Sequence, residues 1–425
     1  MAKIKILGGG GEVGRAAYLV SDRGQNILLD YGVNFDENDR PQFPGHVRPI
    51  DLTGVVITHA HLDHIGAAPI LYITGHPPIV MTKPTLDIGR LLIRDFLKIN
   101  AFYIDYDLEE VENMSTKTIA VEYGQEIELG GFRVLLTSAG HILGSSMVYL
   151  ETPSGHRILY TGDINTIQTW TLSKAELWPI KIDTLIIEST YGSTKHPPRH
   201  ETEHRLASAI EEVLDSGGTV LIPAFSVGRT QEVMCLVHAE VPGADIFIDG
   251  MSREITSIYL RHKTYLRDPG LFEKVVEHVK FVRGWQDRRK IWRRPAVIIS
   301  SAGMLKGGPS IYYLKKIGDN PSNAVYLVSY QAVDSPGHKL LETGGIDEFG
   351  IDRVNARVEW FDLSSHAGKD GLLDVVKRYK NVVQNIIIVH GEPDSSSNLE
   401  RIIREEIGEG ISVFRPLNGD EIVLD

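Results

Sequence analysis

Short apolar runs that end in a polar residue recur along this chain. The runs Leu52-Thr-Gly-Val-Val-Ile-Thr58, Phe132-Arg-Val-Leu-Leu-Thr137 and Ile386-Ile-Ile-Val389 each predict a buried strand. Ile27-Leu-Leu29 and Ile186-Ile187 are shorter runs of the same kind. Glycines lie beside the ends of most of these runs. The pattern predicts an α/β protein, a class that gathers its ligands at the carboxyl ends of its strands.

The most informative strand end is residues 59–64, which read His-Ala-His-Leu-Asp-His. His59 and His61 lie on the same side of an extended backbone, because strand side chains alternate between two faces. Asp63 and His64 follow where the chain turns into a helix, so they can face a neighbouring point. Neutral imidazole and carboxylate are good zinc ligands. Four such groups this close together predict a metal site rather than a histidine-rich surface loop.

Four other strand ends carry residues that complement this hexapeptide. His141 follows Ser-Ala-Gly and Asp163 follows Leu-Tyr-Thr-Gly, whereas His390 and Asp30 each close an apolar run directly. Taken singly, Asp30 could equally be a residue that caps a turn, and His141 a histidine hydrogen-bonded to the backbone. Taken together with residues 59–64, the four residues indicate a single site that binds metal.

The order Asp, His-x-His-x-Asp-His, His, Asp resembles the metallo-β-lactamase fold. The resemblance implies a four-layer αβ/βα sandwich with two metal ions at one edge. It implies that Asp30 orients a ligand imidazole through its other nitrogen. Because His61 stands where the flavo-di-iron branch has Glu, the two ions are expected to be zinc. The implied ligands are His59, His61 and His141 on one zinc, Asp63, His64 and His390 on the other, and Asp163 on both.

The gap between Asp163 and His390 exceeds two hundred residues, which is enough for a separate domain. Glu188 ends one apolar run, and His366 lies in a Leu-Ser-Ser-His-Ala loop. With His390 they resemble motifs A, B and C of the β-CASP nucleases. The resemblance implies a metallo-β-lactamase domain in two parts, residues 1–190 and 361–425, with an inserted β-CASP α/β domain at residues 191–360. A small-molecule hydrolase of this fold needs no such insertion.

The substrate that the resemblance implies is RNA. A histidine at the position of His390 accompanies the RNA-processing members of the β-CASP nucleases, whereas the DNA-repair members carry an aliphatic residue. The expected activity is therefore zinc-dependent hydrolysis of phosphodiester bonds in single-stranded RNA. A DNA nuclease of the same fold and a non-catalytic RNA-binding subunit stay open as alternatives.

The mode of cleavage is less sharply indicated. The glycine-rich start, residues 8–15, resembles the cleavage and polyadenylation nuclease subunits and their archaeal relatives, and so favours endonucleolytic RNA processing. Ser365, in Ser-Ser-His, matches neither that subgroup nor bacterial RNase J. A 5′-3′ exonuclease activity, alone or besides the endonuclease, is therefore kept as an alternative.

The resemblance also implies catalytic and binding roles. Asp63 would orient the attacking water in addition to binding metal. His366 would give a proton to the leaving oxygen, and Glu188 behind it would raise its pKa. The candidate residues for binding phosphates and bases of RNA lie on loops of the inserted domain. They are Ser226, Arg229, Ser301 and Gln331.

The net charge of −12 is unusual for an enzyme that binds RNA, because phosphate contacts need a basic surface. Its distribution changes the picture, since residues 253–294 hold 12 Lys and Arg against 5 Asp and Glu. Trp285 and Trp292 lie in this stretch. It is typical either of a surface that binds an RNA strand, with aromatic rings for stacking, or of a solvated amphipathic helix.

The remaining features concern the protein's surroundings. No apolar run approaches the ~20 residues that span a bilayer. Only Cys235 is present, so an intramolecular disulfide is excluded and a reducing, cytoplasmic location is expected. Single-stranded RNA is the expected partner, and a homodimer or the subunits of a processing complex are further expectations.

The glycine run Gly9-x-Gly11-x-x-Gly14 matches the dinucleotide-binding fingerprint in form. That fingerprint must open a helix, whereas the strand-like residues 16–20 follow here. These glycines therefore predict a tight hairpin beside the metal site rather than a nucleotide cofactor site.

Overall fold

The computed structural model describes residues 1–407 and 410–424. The chain forms two compact units. The first comprises Met1–Gln168, Lys174–Lys195 and His366–Asp425, and the second comprises Thr169–Ser173 and His196–Ser365. The domain boundaries placed after residues 190 and 360 on sequence motifs stay predictions. No helix in the described part of the chain is both long and apolar enough to cross a membrane.

The strands are short, as the apolar runs predict. In chain order they are β1 Ala2–Gly8, β2 Ala17–Asp22, β3 Gln25–Leu29, β4 Asn34–Phe35, β5 Pro41–Gln42, β6 Gly54–Val56, β7 Ile79–Thr82, β8 Thr118–Val121, β9 Glu126–Leu129, β10 Phe132–Ser138, β11 Ser146–Glu151, β12 Arg157–Tyr160, β13 Thr184–Glu188, β14 Thr219–Pro223, β15 Ile246–Asp249, β16 Lys280–Phe281, β17 Ala296–Ser300, β18 Ala324–Leu327, β19 Arg357–Trp360, β20 Asn385–Val389, β21 Ser412–Phe414 and β22 Glu421–Leu424.

The helices range from single turns to eighteen residues. They are α1 Leu62–Ile65, α2 Leu71–Thr74, α3 Lys83–Asn100, α4 Leu108–Thr116, α5 Arg199–Asp215, α6 Arg229–Glu240, α7 Ser252–Arg261, α8 Pro269–His278, α9 Trp285–Arg288, α10 Gly308–Ile317, α11 Pro336–Thr343, α12 Lys369–Tyr379 and α13 Pro393–Ile407. Local sequence sets their ends. For example, the Thr82 hydroxyl accepts a hydrogen bond from the Thr85 N–H and caps α3.

The first unit contains two seven-stranded sheets. Their strand orders are β22-β1-β2-β3-β6-β7-β8 and β21-β20-β13-β12-β11-β10-β9. Neighbours close in sequence, such as β1 with β2 and β10 with β11, pair antiparallel, whereas β12, β13, β20 and β21 run parallel. In β1 the even-numbered residues are buried, but Lys3 and Lys5 are exposed, as a strand with one covered face requires.

Three apolar clusters define the layers of this unit. Tyr18 and Ile4 from one sheet pack with Val134 and Ile186 from the other, so this cluster lies between the two sheets. A second cluster joins the first sheet to α1–α4, and a third joins the second sheet to α12 and α13. Helices therefore cover the outer face of each sheet. This arrangement confirms the αβ/βα sandwich that the sequence predicts.

The second unit is an α/β domain around one parallel sheet. Its strand order is β16-β15-β17-β14-β18-β19, and all of its strand pairs are parallel. Ile298 and Val325 of the sheet pack with Leu314 of α10 in one apolar cluster. Because parallel strands share one direction, their carboxyl ends lie along the same edge of the sheet.

Candidate metal centre

The hexapeptide 59–64 follows β6 and leads into the single turn of α1. His59 and His64 are fully buried, whereas His61 and Asp63 are partly exposed. The His64 and Ile65 N–H groups both donate to the His61 carbonyl at 3.0 Å, which fixes the turn. This local structure sends two imidazoles inward and keeps a carboxylate within reach of solvent.

The other predicted site residues arrive from the ends of separate strands. Asp30 follows β3, His141 follows β10, Asp163 follows β12, and His390 follows β20, whereas Glu188 is the last residue of β13. Because β20, β13, β12, β11 and β10 are neighbours in one sheet, their loops meet at the same edge. This edge brings together His141, Asp163, Glu188 and His390, and Asp30 joins them from the end of β3 in the other sheet.

Asp163 lies at the centre of this group, with only 2% of its surface exposed. Its Oδ1 is 3.2 Å from His64 Nε2 and 3.4 Å from His390 Nδ1. Its Oδ2 is 3.5 Å from His59 Nε2 and 3.8 Å from His141 Nε2. The two carboxylate oxygens thus face two different pairs of imidazoles, so this carboxylate could serve as a ligand to two cations.

His59 and His141, the pair that faces Oδ2, belong to a cluster with His61 and Asp163, whose ligand atoms all lie within 4.8 Å of one another. His61 Nδ1 is 3.2 Å from His59 Nε2 and 3.1 Å from His141 Nε2. One proton on His61 Nδ1 can make a well-aligned hydrogen bond to only one of these two nitrogens. A cation among the three rings satisfies all three nitrogens, so this donor set fits a zinc ion.

A second cluster contains His64, Asp163 and His390, and Asp63 lies beside it. Asp63 Oδ2 is 3.5 Å from His390 Nε2 and 4.0 Å from His64 Nε2. His64 Nε2 and Asp163 Oδ1 are buried, and neither makes a hydrogen bond within the described residues. Unsatisfied buried polar atoms are costly, so this donor set also fits a cation.

Asp30 holds His64 from the side away from these ligands. Asp30 Oδ2 lies 2.8 Å from His64 Nδ1 and accepts the Tyr160 hydroxyl, also at 2.8 Å. The Thr58 N–H donates to Oδ1 at 2.7 Å, and the Thr58 hydroxyl donates to Oδ2 at 2.8 Å. The carboxylate is therefore saturated with donors and fixes which ring nitrogen of His64 faces Asp163.

His366 and Glu188 form a further pair at the same edge. His366 Nδ1 lies 3.2 Å from both oxygens of Glu188. Glu188 is 1% exposed, and its Oε1 also accepts the Ile164 N–H at 2.8 Å. His366 Nε2 is 3.9 Å from Asp163 Oδ2. One nitrogen of this imidazole thus faces a buried carboxylate, while the other faces the metal cluster.

The charges at the site divide the imidazoles into two kinds. Burial lowers the pKa of His59 well below its usual value, and it also lowers the pKa of His61. Burial acts against protonation of His64 as well, but the charges of Asp163 and Asp30 outweigh it and hold its pKa well above the usual value. His59 and His61 are thus neutral, the form that binds metal, and a cation must displace a proton from His64.

Two residues of the motifs have strongly shifted pKa values. Burial alone would raise the pKa of Asp163, but the charges of His64 and His390 hold it well below its usual range. For His366, burial opposes protonation, yet Glu188 and Asp163 together raise its pKa to about 9. Asp163 is therefore ionised and the His366 imidazole carries a proton at neutral pH.

The four RNA-binding candidates lie in the second unit. Ser226 and Arg229 follow β14, Ser301 follows β17, and Gln331 follows β18, so all are at the carboxyl ends of three adjacent strands. Arg229 Nη2 donates to the Ser365 hydroxyl at 3.3 Å. Gln331 Nε2 donates to the carbonyls of Gly303 and Ser329. Ser226 and Ser301 are half-buried.

Some contacts of the site were not predicted from the sequence. Tyr160 and Thr58 hold Asp30, and the Gly14 N–H donates to His390 Nε2 at 3.2 Å. The glycine loop between β1 and β2 therefore does lie beside the cluster. A signal existed for Tyr160 and Thr58, since each is a hydroxyl-bearing residue at the end of an apolar run. For Gly14 the glycine run predicted the position beside the site, but not the backbone N–H that donates to His390.

Three family models match consecutive parts of the chain. Residues 10–210 match the metallo-β-lactamase superfamily, residues 230–340 match the β-CASP domain, and residues 351–416 match the Zn-dependent metallo-hydrolase RNA specificity domain. The RNase aCSPSF2 of Saccharolobus solfataricus is 45% identical over 423 residues, which cover 99% of this chain and 85% of that protein. This chain belongs to the β-CASP branch of the metallo-β-lactamase superfamily.

Other proteins resemble this chain over most of its length. The transcription termination factor FttA of Pyrococcus horikoshii is 36% identical over 466 residues, covering 99% of this chain and 71% of that protein. A crystal structure of a protein of unknown function from Enterococcus faecalis V583 has a TM-score of 0.63 at 13% identity, with both chains fully covered. At that identity the likeness shows the fold. Membership of the β-CASP branch makes the chain a metal-dependent hydrolase.

Proposed function

We propose that this chain cuts single-stranded RNA internally by hydrolysis at a two-zinc centre. The single observation that carries the proposal is Asp163, whose two oxygens face separate pairs of buried imidazoles. Its family and its 45% identity to a protein named as an RNase make the chain a metal-dependent ribonuclease. The number of zinc ions, the role of each residue and the internal mode of cleavage are the parts that we propose.

The residues present fit two ions. His59, His61 and His141 would hold one, and Asp163 would bridge to the second. His64, Asp63 and His390 would complete the second site. His390 Nδ1 lies 3.4 Å from Asp163 Oδ1, while its Nε2 accepts the Gly14 N–H. When bound, zinc draws charge from a phosphate oxygen and makes water a stronger nucleophile near neutral pH.

The chain's own carboxylates position the reactants. Asp63 is the one carboxylate among the seven proposed ligands with appreciable exposure, 32% of its side chain. It can therefore accept a hydrogen bond from the attacking water as the water approaches from solvent. Asp30 acts one step further away, because it fixes the ring of His64 rather than touching substrate.

His366 would supply the proton that the leaving oxygen needs. It carries a proton at neutral pH, since Glu188 and Asp163 raise its pKa to about 9. About 21% of its side chain is exposed, so its Nε2 can reach a substrate atom. If the 3′ oxygen leaves with this proton, the products carry a 5′-phosphate and a 3′-hydroxyl.

The second unit would contribute RNA contacts from Ser226, Arg229, Ser301 and Gln331. The support is their common position at the carboxyl ends of β14, β17 and β18, where α/β sheets gather ligands. Arg229 supplies the charge for a phosphate, and the other three supply polar groups. We place this activity in the cytoplasm. We also propose that the chain works as a homodimer or as a subunit of a processing complex.

The test compares matched oligonucleotides. Zinc-loaded protein is incubated with one single-stranded RNA and with DNA of the same sequence, and the new ends are mapped. RNA cleavage with 5′-phosphate products, lost on chelation and restored by zinc, supports the proposal. Equal cleavage of the DNA would instead support a DNA nuclease, and RNA binding without cleavage would support a non-catalytic subunit.

A further inference from the structure

A strongly basic stretch lies in the second unit, and none of its residues is assigned a role in the proposed function. Residues 280–294, here called the basic segment, hold seven Lys and Arg and one Asp in a chain whose net charge is −12. The segment contains β16, α9 and the short 3-10 turn Ile291–Arg293. It is not one continuous amphipathic helix, so a solvated helix face does not explain it.

One end of α9 is fixed by a buried carboxylate. Arg288 donates from Nε and Nη2 to the two oxygens of Asp249, at 2.6 and 2.7 Å. The Tyr313 hydroxyl donates to the same carboxylate at 2.6 Å. Asp249 is 2% exposed, so this two-pronged ion pair is a firm attachment. The charge of Arg288 is thereby used inside the protein.

The ends of the basic segment also pair with a carboxylate, although this one is partly exposed. Lys280 and Arg294 both pair with Asp245, the latter at 3.2 Å. Between them Ile291 is 5% exposed and packs in the apolar cluster of the sheet with Phe247. The basic segment is thus attached through Lys280, Arg288 and Arg294. Three of its seven cations therefore already have a carboxylate partner within the protein.

The other four cations are turned outward. They are exposed, and none of them forms an ion pair with a carboxylate of the described residues. Attachment of their neighbours places them on a fixed backbone instead of a mobile loop. This surface consists of Arg283, Arg289, Lys290 and Arg293.

An exposed aromatic ring stands among these cations. Trp285 is 58% exposed, although an indole of this size is usually buried. Its ring lies 5.3 Å from that of Tyr312, edge to face, and 5.0 Å from the guanidinium of Arg288. A supported indole with a free surface beside cations is the arrangement on which nucleic-acid bases stack.

A pocket opens in the same region. Its volume is about 490 Å³, and its lining includes Phe247, Phe281, Lys290 and Arg294. Arg294 and Lys280 lie over the Phe247 ring at 5.3 and 5.5 Å. The two phenyl rings, together with Lys290, can take a base and its phosphate.

We propose that the basic segment is a second RNA-binding surface, on which a base of single-stranded RNA stacks on Trp285 while Arg283, Arg289, Lys290 and Arg293 bind phosphates. The inference rests on the proposed function in taking RNA as the ligand. An acidic protein would also pair with the cations, but its carboxylates would not stack on the exposed indole. RNA matches both features, so it is the occupant that the surface favours.

The test measures binding of a fluorescent 20-nucleotide single-stranded RNA by anisotropy. All proteins are zinc-loaded and carry His366→Ala, and gels verify that the RNA stays intact. One variant replaces Arg289, Lys290 and Arg293 by Gln. The matched control replaces three other exposed cations of the same unit, Arg261, Lys274 and Arg353, by Gln. In a second pair of variants, Trp285→Ala is compared with Trp285→Phe.

The triple variant of the basic segment should raise Kd about tenfold or more and reduce the salt dependence by about two units of slope, since each lost single-strand phosphate contact removes ~0.7. Trp285→Ala should raise Kd about tenfold, whereas Trp285→Phe should keep most of the affinity, because a phenyl ring still stacks. The control should change Kd less than about threefold, as distant charges are screened.

Three results would overturn the inference. The two triple variants could weaken binding equally, which would mean that only net charge matters. Trp285→Ala could bind RNA as tightly as the parent. Polyglutamate could displace the RNA as well as unlabelled RNA does at equal charge, which would point to an acidic protein. A failure of the proposed function is recognised separately, with the protein in which His366 is intact. If that protein leaves the RNA uncut, the proposed function is wrong, whatever RNA binding the variants show.

Discussion

His64 Nδ1 lies 2.8 Å from Asp30 Oδ2, in a contact between residues 34 positions apart. The contact turns the other ring nitrogen of His64 to within 3.2 Å of Asp163 Oδ1. Thr58 and Tyr160 hold the Asp30 carboxylate in turn. The orientation of one proposed ligand thus depends on a network of buried side chains behind it.

Replacing Asp30 by Asn should therefore weaken the second metal site. The amide can no longer favour the same ring orientation, and loss of such a partner lowers metal affinity by about 10–100-fold. Competition with a chelator measures the affinity. Tyr160→Phe is the matched control, since it removes one donor to Asp30 but leaves His64 in place. Equal loss in both variants would mean that Asp30 acts through folding and not through His64.

Asp163 should be the residue on which both ions depend. Elemental analysis of the purified protein should give about two zinc ions per chain. Asp163→Asn should lose both, because its oxygens face the two clusters separately, whereas His141→Ala should lose one. An active protein that holds one metal, or mainly iron, contradicts the two-zinc assignment.

His366→Ala should separate proton donation from metal binding. The variant should keep both zinc ions and its RNA affinity while single-turnover cleavage falls by about 10²–10⁴-fold, the range for a positioned general acid. Zinc content measured on the same preparation is the control. Loss of metal in this variant would make His366 a ligand instead.

The Glu188 contact predicts a pH effect of defined sign. Glu188 helps to raise the pKa of His366, and a general acid must be protonated. Cleavage should therefore fall as the pH rises through that pKa. Glu188→Gln keeps an acceptor for the Ile164 N–H but removes the charge, so the alkaline fall should move to lower pH. An unmoved alkaline limb in single-turnover pH–rate profiles would remove His366 from the role of acid.

Circular RNA distinguishes the two modes of cleavage. A 5′-exonuclease must seat a free 5′ end, whereas an endonuclease needs only an open groove. We expect the protein to nick circular single-stranded RNA, with linear RNA bearing a 5′-monophosphate as the comparison substrate. Degradation of the linear form beside an intact circle would show that the endonuclease assignment is wrong.

The sequence alone determined the fold class and the candidate ligands. Residues 59–64 bring three imidazoles and a carboxylate together within one strand-to-helix turn, and such local spacing is set by the chain itself. The apolar runs that end in Asp163, His390 or Glu188 predict the edge at which the site forms, because buried strands need apolar residues and strand ends do not. The family models and the αβ/βα layers confirm the fold class, and the ligand assignments stay predictions.

Tertiary structure decided which atoms face one another. That Asp163 turns one oxygen to His64 and the other to His59 follows from the pairing of strands far apart in the sequence. The basic segment shows the same limit, because nothing in its sequence separates Arg288, bound to buried Asp249, from the exposed Arg289. The physical reason is that side-chain partners are set by which distant elements pack together to bury apolar surface, and sequence spacing carries no record of that contact.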